Sequence, residues 1–178
     1  MHHELSDEEL MRRVRDETDE AALQALTDRY AGPALLLADS RLKHTGLSDE
    51  AVQDAFLKIY RERRRYDERR PFAPWFYAIL RNACADHWRR ETRYRDKLED
   101  AKTSPTPNPP TAALDAIGEG LAALSDPDRE ILILRLVQGL EFQEIGCAIG
   151  CTEDAAKKRG QRALKKLRSL VPFTRRQT

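Results

Sequence analysis

The stretch Phe142–Leu164, with the sequence FQEIGCAIGCTEDAAKKRGQRAL, decides the fold because it predicts two short helices joined by a tight turn. Its apolar residues recur at a spacing of three and four, which places them on one helical face. Gly150 suits the left-handed conformation that ends a helix, and Thr152 suits the N-cap of the next helix. With Gly146 as the small residue where the helices approach, the pattern is typical of a helix-turn-helix.

The second helix of this pair has two chemically different faces. Its small and apolar positions form a predicted inward stripe of Ala156, Gly160, Ala163, Leu164 and Leu167. Its polar positions fall largely on the other side, at Lys157, Lys158, Gln161, Arg162, Lys165 and Lys166. A helix entering the major groove brings its first side chains to base edges, while basic residues farther along hold phosphates. We therefore predict binding to double-stranded DNA; the alternative is a three-helix bundle with a solvated last helix.

Charge is distributed unevenly along a chain whose net charge is only +1. Residues 1–28 hold nine acidic residues and three arginines, a net charge of −6. Residues 151–178 hold nine basic and two acidic residues, a net charge of +7. This asymmetry suggests that one end meets a polyanion, although solvated helix faces would produce the same distribution.

All the long segments have helical periodicity and none has sustained strand alternation, which predicts an all-α fold. Ser6 and Glu9 have the spacing of a capping box at the start of the first helix. A second helix follows, and Gly32-Pro33 is expected to kink or break it.

Two further helices are predicted between residues 48 and 90. Ser48 is expected to cap the first of them. The apolar face of that helix is formed by Val52, Phe56, Ile59 and Tyr60. A charged loop over residues 61–71 follows, and Pro71 suits the start of the next helix. The apolar side of that helix is formed by Trp75, Ile79 and Ala83.

The segment Ser104–Pro110 contains four of the nine prolines. Such a sequence supports neither a helix nor a sheet interior, so it predicts an extended linker. We therefore expect two small helical domains joined by a Pro-rich flexible linker. The expected limits are residues 1–100 for the first domain, 101–112 for the linker and 113–178 for the second domain.

Several classes of protein are excluded by composition and motifs. No apolar run approaches the roughly 18 residues of a membrane helix, and the acidic N-terminus lacks the apolar core of a signal peptide. We therefore expect a cytoplasmic protein without membrane insertion. Nucleotide-binding glycine loops and catalytic signatures are missing from the sequence, so we expect neither enzymatic activity nor a cofactor.

The three cysteines fit a reducing compartment better than a disulfide framework. Cys147 and Cys151 are expected to fill space around the end of a helix, with a thiol-based redox switch as the alternative. Cys84 lies three residues before His87, but zinc sites usually need four ligands in tighter pairs, so we expect no metal site.

Four blocks of the chain resemble, in the same order, the extracytoplasmic-function sigma factors of the sigma-70 family. The blocks are DEELMRRVRDETDEAALQALTDRY at Asp7–Tyr30, SDEAVQDAFLKIY at Ser48–Tyr60, YDERRPFAPWFYAILRNACADHWRR at Tyr66–Arg90, and the segment Leu124–Leu170. The ordered set, more than any single block, carries the resemblance. It implies a subunit that gives core RNA polymerase its choice of promoter and that a separate anti-sigma factor controls.

The Ser48–Tyr60 block resembles the family's polymerase-binding helix, which docks on the clamp helices of the large subunit. The contact residues that this resemblance implies are Asp49, Glu50, Gln53, Asp54 and Leu57. An acidic helix face that is merely solvated is the alternative interpretation.

The Tyr66–Arg90 block resembles the segment that melts and reads the promoter −10 element. Unstacked bases require aromatic surfaces, cationic groups and polar side chains that bond a base edge. The implied contacts with single-stranded promoter DNA are Arg63, Arg64, Arg65, Tyr66 and Asn82, and Asn82 matches the position that reads a flipped base. Trp75 is either a core residue or a stacking platform.

The last block resembles the domain that reads the −35 element. The contacts assigned to it are Thr152, Lys157, Lys158, Gln161, Arg162 and Lys165. Gly160 replaces an aliphatic residue at a cost of about 1 kcal/mol in helix propensity, and either lets the helices sit closer or leaves the recognition helix frayed. Glu141 stands where the family often has a capping serine, so we expect a weaker helix start.

Two other classes of function compete with this interpretation. A stand-alone helix-turn-helix repressor or activator would explain the second domain equally well, but not the arginine-rich loop, Asn82 or the acidic helix. A pure protein-interaction module, such as an anti-sigma protein, would have no salt-dependent affinity for DNA.

Overall fold

The computed structural model describes residues 5–42, 46–97, 120–121 and 123–170. Its main helices are α1 (Asp7–Glu17), α2 (Glu20–Leu42), α3 (Ser48–Glu62), α4 (Phe72–Lys97), α5 (Asp126–Leu132), α6 (Phe142–Ile149) and α7 (Glu153–Leu170). Arg63–Arg65 forms a 3₁₀ turn after α3, and Ile133–Val137 continues α5 as a π-helical turn. The described ranges contain no strand, which confirms the all-α prediction. Within these ranges, none of the helices has the length and hydropathy needed to cross a membrane.

The start of α1 follows the sequence signal in part. The Ser6 hydroxyl accepts a hydrogen bond from the backbone N–H of Glu9 at 3.2 Å, as the capping pattern predicts. The Glu9 carboxylate, however, binds the Arg12 guanidinium at 2.7 and 2.9 Å. This hydrogen-bonded pair lowers the pKa of Glu9 to about 2. The hydrogen bond to the Ser6 hydroxyl, one half of the predicted capping box, is therefore present. The Glu9 carboxylate, which would form the other half, pairs with Arg12 instead.

Helix α2 continues through Pro33, so the predicted kink or break is not a break. An interior proline removes one backbone hydrogen bond and costs about 3 kcal/mol. Apolar side chains on both sides of this position are buried: Tyr30, Ala34, Leu37 and Ala38. Apolar burial is favourable by about 25 cal/mol per Å², and packing of this helix offsets the local cost of the proline.

The prediction that Ser48 caps α3 is also wrong. Ser48 is the first residue of the helix, Leu47 occupies the N-cap position, and the Ser48 side chain is buried. Gly46 has a φ of 79°, and this left-handed residue turns the chain early enough for the helix to begin at Ser48.

An aromatic cluster forms the core between α1, α2 and α4. The Tyr30 ring lies 5.1 Å from the Phe72 ring and 4.9 Å from the Phe76 ring, and both phenylalanines are fully buried. The Glu8 carboxylate accepts a hydrogen bond from the Phe72 backbone N–H at 3.0 Å, which satisfies a free donor at the start of α4. Helix α1 thus fixes where α4 begins.

The two halves of the described chain pack against each other, with α4 in contact with α6 and α2 in contact with α5. The Glu130 carboxylate of α5 is buried and forms ion pairs with Arg41 at 2.8 Å and Arg81 at 3.4 Å. The predicted linker, residues 101–112, lies outside the described residues. The predicted domain limits therefore stay predictions.

Candidate nucleic-acid and protein interfaces

Helix α7 separates a buried stripe from an exposed basic face. The buried positions are Ala156, Gly160, Ala163 and Leu167. The exposed positions are Lys157, Lys158, Gln161, Arg162, Lys165 and Lys166. Four of these exposed side chains line one shallow surface depression: Lys158, Gln161, Arg162 and Lys165. This segregation matches the two faces predicted from the sequence.

The start of α7 is set by the turn that precedes it. Gly150 ends α6 with a φ of 73°, and the Thr152 hydroxyl accepts a hydrogen bond from the Ala155 backbone N–H at 3.3 Å. A Cβ atom added to Gly146 would lie 2.7 Å from the backbone oxygen of Cys151. The turn therefore requires glycine at position 146, and both predicted helix-turn-helix signals are confirmed.

Gly160 marks a second close approach, between α7 and the two helices beneath it. A Cβ atom added there would lie 2.7 Å from Cε1 of Phe142 and 3.2 Å from Cγ2 of Ile131. This contact supports the first of the two interpretations of Gly160, that it lets the helices sit closer. The loss of helix propensity is accompanied by tighter packing under the recognition helix.

The expectation of a weak start for α6 is wrong. Glu141 and Glu144 form a capping box, in which the Glu144 carboxylate accepts a hydrogen bond from the Glu141 backbone N–H at 2.7 Å. The Arg135 guanidinium also lies 3.0 Å from the Glu141 carboxylate. The prediction considered only the residue at the cap, whereas Glu144 three positions later completes the motif.

The polar face of α3 is exposed along its whole predicted length. Its members are Asp49, Glu50, Gln53, Asp54 and Leu57, and we call this set the α3 face. Leu57 keeps 51 % of its surface accessible, so an apolar side chain lies within this polar face. The opposite side of the helix is buried at Ala51 and Ala55. The arrangement places acidic groups around one exposed apolar side chain.

The arginines after α3 differ in their surroundings. Arg64 and Arg65 are exposed, and Arg65 lies 3.8 Å from the Glu62 carboxylate. Arg63 is held against the protein: it donates a hydrogen bond to the Tyr60 carbonyl at 2.7 Å, and its guanidinium lies 4.4 Å from the Tyr60 ring centre. Two of the three predicted arginines are therefore accessible to a polyanion.

Tyr66 does not present the stacking surface that was predicted for it. Its side chain is 3 % exposed, its hydroxyl donates a hydrogen bond to the Arg70 carbonyl at 2.8 Å, and burial raises its pKa. Its ring lies 5.1 Å from the ring of Trp75, which is half-buried. The aromatic residue among the arginines belongs to the core edge, so Tyr66 leaves the predicted DNA-contact set. Asn82 is exposed on α4.

Family models match both halves of the chain. The model described as sigma-70 region 2 matches residues 26–94, and the model described as sigma-70 region 4 matches residues 114–167. Together these matches cover more than half of the chain. They contain the α3 face, the 3₁₀ turn Arg63–Arg65 and the helix-turn-helix. The chain belongs to the sigma-70 family of RNA polymerase sigma factors.

Curated relatives extend this assignment over nearly the whole length. The sigma factor is 30 % identical to the RNA polymerase sigma factor CarQ of Myxococcus xanthus over 167 residues, which cover 90 % of this chain and 95 % of CarQ. It is 30 % identical to the RNA polymerase sigma factor NccH of Alcaligenes xylosoxydans, covering 93 % and 94 %. It is 33 % identical to the ECF RNA polymerase sigma factor SigF of Caulobacter vibrioides, covering 67 % and 68 %. It is an extracytoplasmic-function sigma factor, as the resemblance implied.

Solved structures agree with the fold of this sigma factor. CnrH, solved in complex with the cytosolic domain of CnrY, matches with a TM-score of 0.67 at 23 % identity and covers 92 % of this chain and 96 % of CnrH. The sigma factor RpoE of Bartonella quintana, solved with the anti-sigma factor NepR, matches with a TM-score of 0.69 at 20 % identity and covers 83 % and 94 %. At these identities the likeness establishes the helical fold.

The cysteines of the sigma factor differ from one another. Cys147 is exposed, which contradicts the prediction that it fills space, and Cys151 is partly buried. Cys84 is fully buried, and desolvation raises its pKa to about 11, so its thiol stays neutral. Within the described ranges, no cluster of three potential metal ligands occurs.

One contact of the α3 face was missed by sequence reasoning. His87 of α4 is buried, and its Nε2 lies 2.9 Å from Oδ2 of Asp54. The two residues are 33 positions apart, so no local spacing could have paired them. The predicted contact residues of the sigma factor otherwise stay predictions, apart from the correction at Tyr66.

Proposed function

We propose that this sigma factor docks on the clamp helices of the large subunit of core RNA polymerase through the α3 face and directs initiation at promoters with −10 and −35 elements. The observation that carries the proposal is the one-sided α7, whose basic face is exposed while its small residues are buried. A helix held this way can enter the major groove with its N-terminal end first.

The α3 face suits docking because its acidic and amide groups surround an exposed leucine. Burial of this leucine against a partner would add a favourable apolar contact to the polar ones. Complementary charges would steer the encounter with a basic partner surface. The residues proposed to contact the polymerase are those of the α3 face.

The −10 element is proposed to be melted and read beside α4. Arg64 and Arg65 supply exposed positive charge for single-stranded DNA, and Arg63 adds its charge from beside Tyr60. The exposed amide of Asn82 offers a donor and an acceptor to one base edge. The segments that bind the −10 and −35 elements belong to one chain. When the spacing between the two elements matches, binding of one segment raises the effective concentration of the other at its site, and the affinity for the whole promoter increases.

The −35 element is proposed to be read by α7. Lys157, Lys158, Gln161 and Arg162 belong to its first three turns, where side chains reach base edges, and Lys165 lies farther along for phosphate contact. Thr152 caps the start of the helix and is proposed to contact the DNA as well.

Control by an anti-sigma factor forms part of the proposal, and it rests on the solved relatives, since RpoE was crystallised with the anti-sigma factor NepR. We also propose that the chain acts in the cytoplasm, where core polymerase and promoter DNA occur, and that it has no catalytic activity of its own.

The function can be tested by transcription with purified core polymerase on fragmented genomic DNA, followed by sequencing of the 5′ ends of the transcripts. We expect start sites that share two upstream elements at one spacing and that disappear without the sigma factor. Unchanged start sites with and without the protein would contradict the function.

Replacing Asn82 by alanine is expected to relax selectivity at one base of the −10 element by about tenfold, because the amide that bonds the base edge is lost. The measurement is run-off transcription on promoters that carry each base at each −10 position. Gln24→Ala removes an exposed amide from α2 and serves as the control. Unchanged base preference in the Asn82 variant would refute the proposed role of Asn82 in reading a base.

Replacing Lys157 by alanine is expected to weaken binding to −35 DNA about tenfold while leaving binding to random DNA nearly unchanged, since a base contact carries sequence information. Lys165→Ala is the matched control. It should weaken binding to −35 DNA and to random DNA equally, and it should reduce the dependence of both affinities on salt concentration. Titrations of labelled duplexes measure both variants. Equal losses for Lys157→Ala on both DNAs would make it a phosphate contact.

A further inference from the structure

A buried histidine of α4, His87, contacts two carboxylates of the α3 face. The His87 side chain is only 8 % exposed, and it lies between two carboxylates of α3. Its Nε2 is 2.9 Å from Oδ2 of Asp54, within hydrogen-bond distance, and its Nδ1 is 3.9 Å from Oε2 of Glu50, beyond that distance. Helix α4 thus contacts the polar face of α3 through one imidazole.

The chemistry of this contact fixes the direction of the hydrogen bond. An ionised carboxylate only accepts, so Nε2 of His87 carries a hydrogen, and this N–H group donates a hydrogen bond to Oδ2 of Asp54. Among the residues that the structure describes, only one oxygen of Asp54 has a partner, and 51 % of the Asp54 side-chain surface stays exposed. The second oxygen remains available to a donor on a partner protein.

Glu50 and Asp54 are like charges on the same face of α3. They lie four residues apart on one helix, where like charges destabilise the conformation that brings them together. The imidazole is inserted from α4 beside both carboxylates. Asp49 lies on the same face, is exposed and does not contact His87 in the pairs described above, so it offers an internal comparison.

We propose that His87 is a positioning residue of the polymerase-docking surface: its Nε2–H holds the Asp54 carboxylate in the conformation that core polymerase binds. This inference rests on the proposed docking role of the α3 face. Fixing a mobile side chain in one conformation on binding costs conformational entropy, which weakens affinity by about three- to tenfold. A side chain that is already held in this conformation before binding avoids that loss.

A double-mutant cycle on core-polymerase affinity tests the role of His87. His87→Leu fills the buried space without a donor and should weaken binding about three- to tenfold. Adding it to Asp54→Asn should cause little further loss, because the carboxylate that His87 positions is already gone. Adding it to Asp49→Asn should multiply the two losses. His87→Gln keeps an N–H donor and should restore most of the affinity.

Thermal unfolding of each variant separates positioning from folding, and affinities are compared for fully folded protein. If His87→Leu proves unstable, His87→Phe, which keeps a buried ring but has no N–H donor, is compared with the unchanged protein, each with and without Asp54→Asn, and should give the same coupling. Losses that multiply in the cycle with Asp54 would overturn the role of His87 and leave the docking surface intact. Full affinity of Asp54→Asn would overturn the docking surface and, with it, this inference.

Discussion

Replacing Gln53 and Asp54 together by alanine is expected to weaken binding to core RNA polymerase by about a hundredfold. Both side chains are exposed near the middle of the α3 face, between Glu50 and Leu57. A hydrogen bond that involves a charged group is worth about 1.5–3 kcal/mol and a neutral one about 1 kcal/mol, which together give this loss. Titration of labelled sigma factor with core polymerase at fixed salt measures the change.

The chain offers a matched control on α2, where Gln24 donates a hydrogen bond to Asp28 at 2.7 Å. Both residues are exposed, so Gln24→Ala with Asp28→Ala removes the same two groups and the same charge elsewhere on the protein. We expect this variant to bind core polymerase normally. Equal losses in the two variants would indicate a general charge effect, and normal binding of both would remove the α3 face from the docking model.

Gly146→Ala is expected to destabilise the helix-turn-helix by about 3 kcal/mol and to lower the unfolding midpoint by about 10 °C. The added Cβ would meet the Cys151 backbone oxygen at 2.7 Å and the Glu153 backbone nitrogen at 3.3 Å. Backbone atoms cannot move aside as a flexible side chain can, so the turn itself must distort. Affinity for −35 DNA should also fall, because the turn determines the orientation of α7.

Gly32→Ala is the control for this substitution, since it makes the same change inside α2. A Cβ atom at Gly32 would meet nothing within 4 Å, and alanine is favoured over glycine in a helix interior by about 0.5–1 kcal/mol. We therefore expect a slightly higher unfolding midpoint. Calorimetry on both variants measures the difference, and a Gly146 variant as stable as the unchanged protein would refute the close approach.

Features fixed by neighbouring residues could be predicted from the sequence. The caps at Ser6 and Thr152, the left-handed end at Gly150 and the two faces of α7 are all confirmed, because each depends on residues within a turn of one another. The same local reasoning predicted the family, since ordered local blocks carry the resemblance.

Two of the errors, at Pro33 and Tyr66, arose where packing in the folded chain overrides a local preference. Pro33 is tolerated because burial on both sides stabilises α2. Tyr66 lies in an arginine-rich segment but packs on Phe72 and Trp75, which only the folded chain brings to it. In both cases the prediction used the preference of the residue and its sequence neighbours, whereas packing in the folded chain is the larger contribution.

Contacts between distant residues gave no signal in the sequence. Asp54 and His87 are 33 positions apart, and Arg41 and Glu130 are 89 positions apart. An acidic or histidine side chain at such a position has the same local pattern as a solvated one. The support of the α3 face by α4 therefore needed the structure.

Association of the purified chain with core RNA polymerase that lacks its specificity subunit tests the central claim most directly. We predict a complex with one copy of the chain per core enzyme, which a second sigma factor displaces by competition. A chain that never associates with the core enzyme at any salt concentration, yet still binds DNA, would contradict the account.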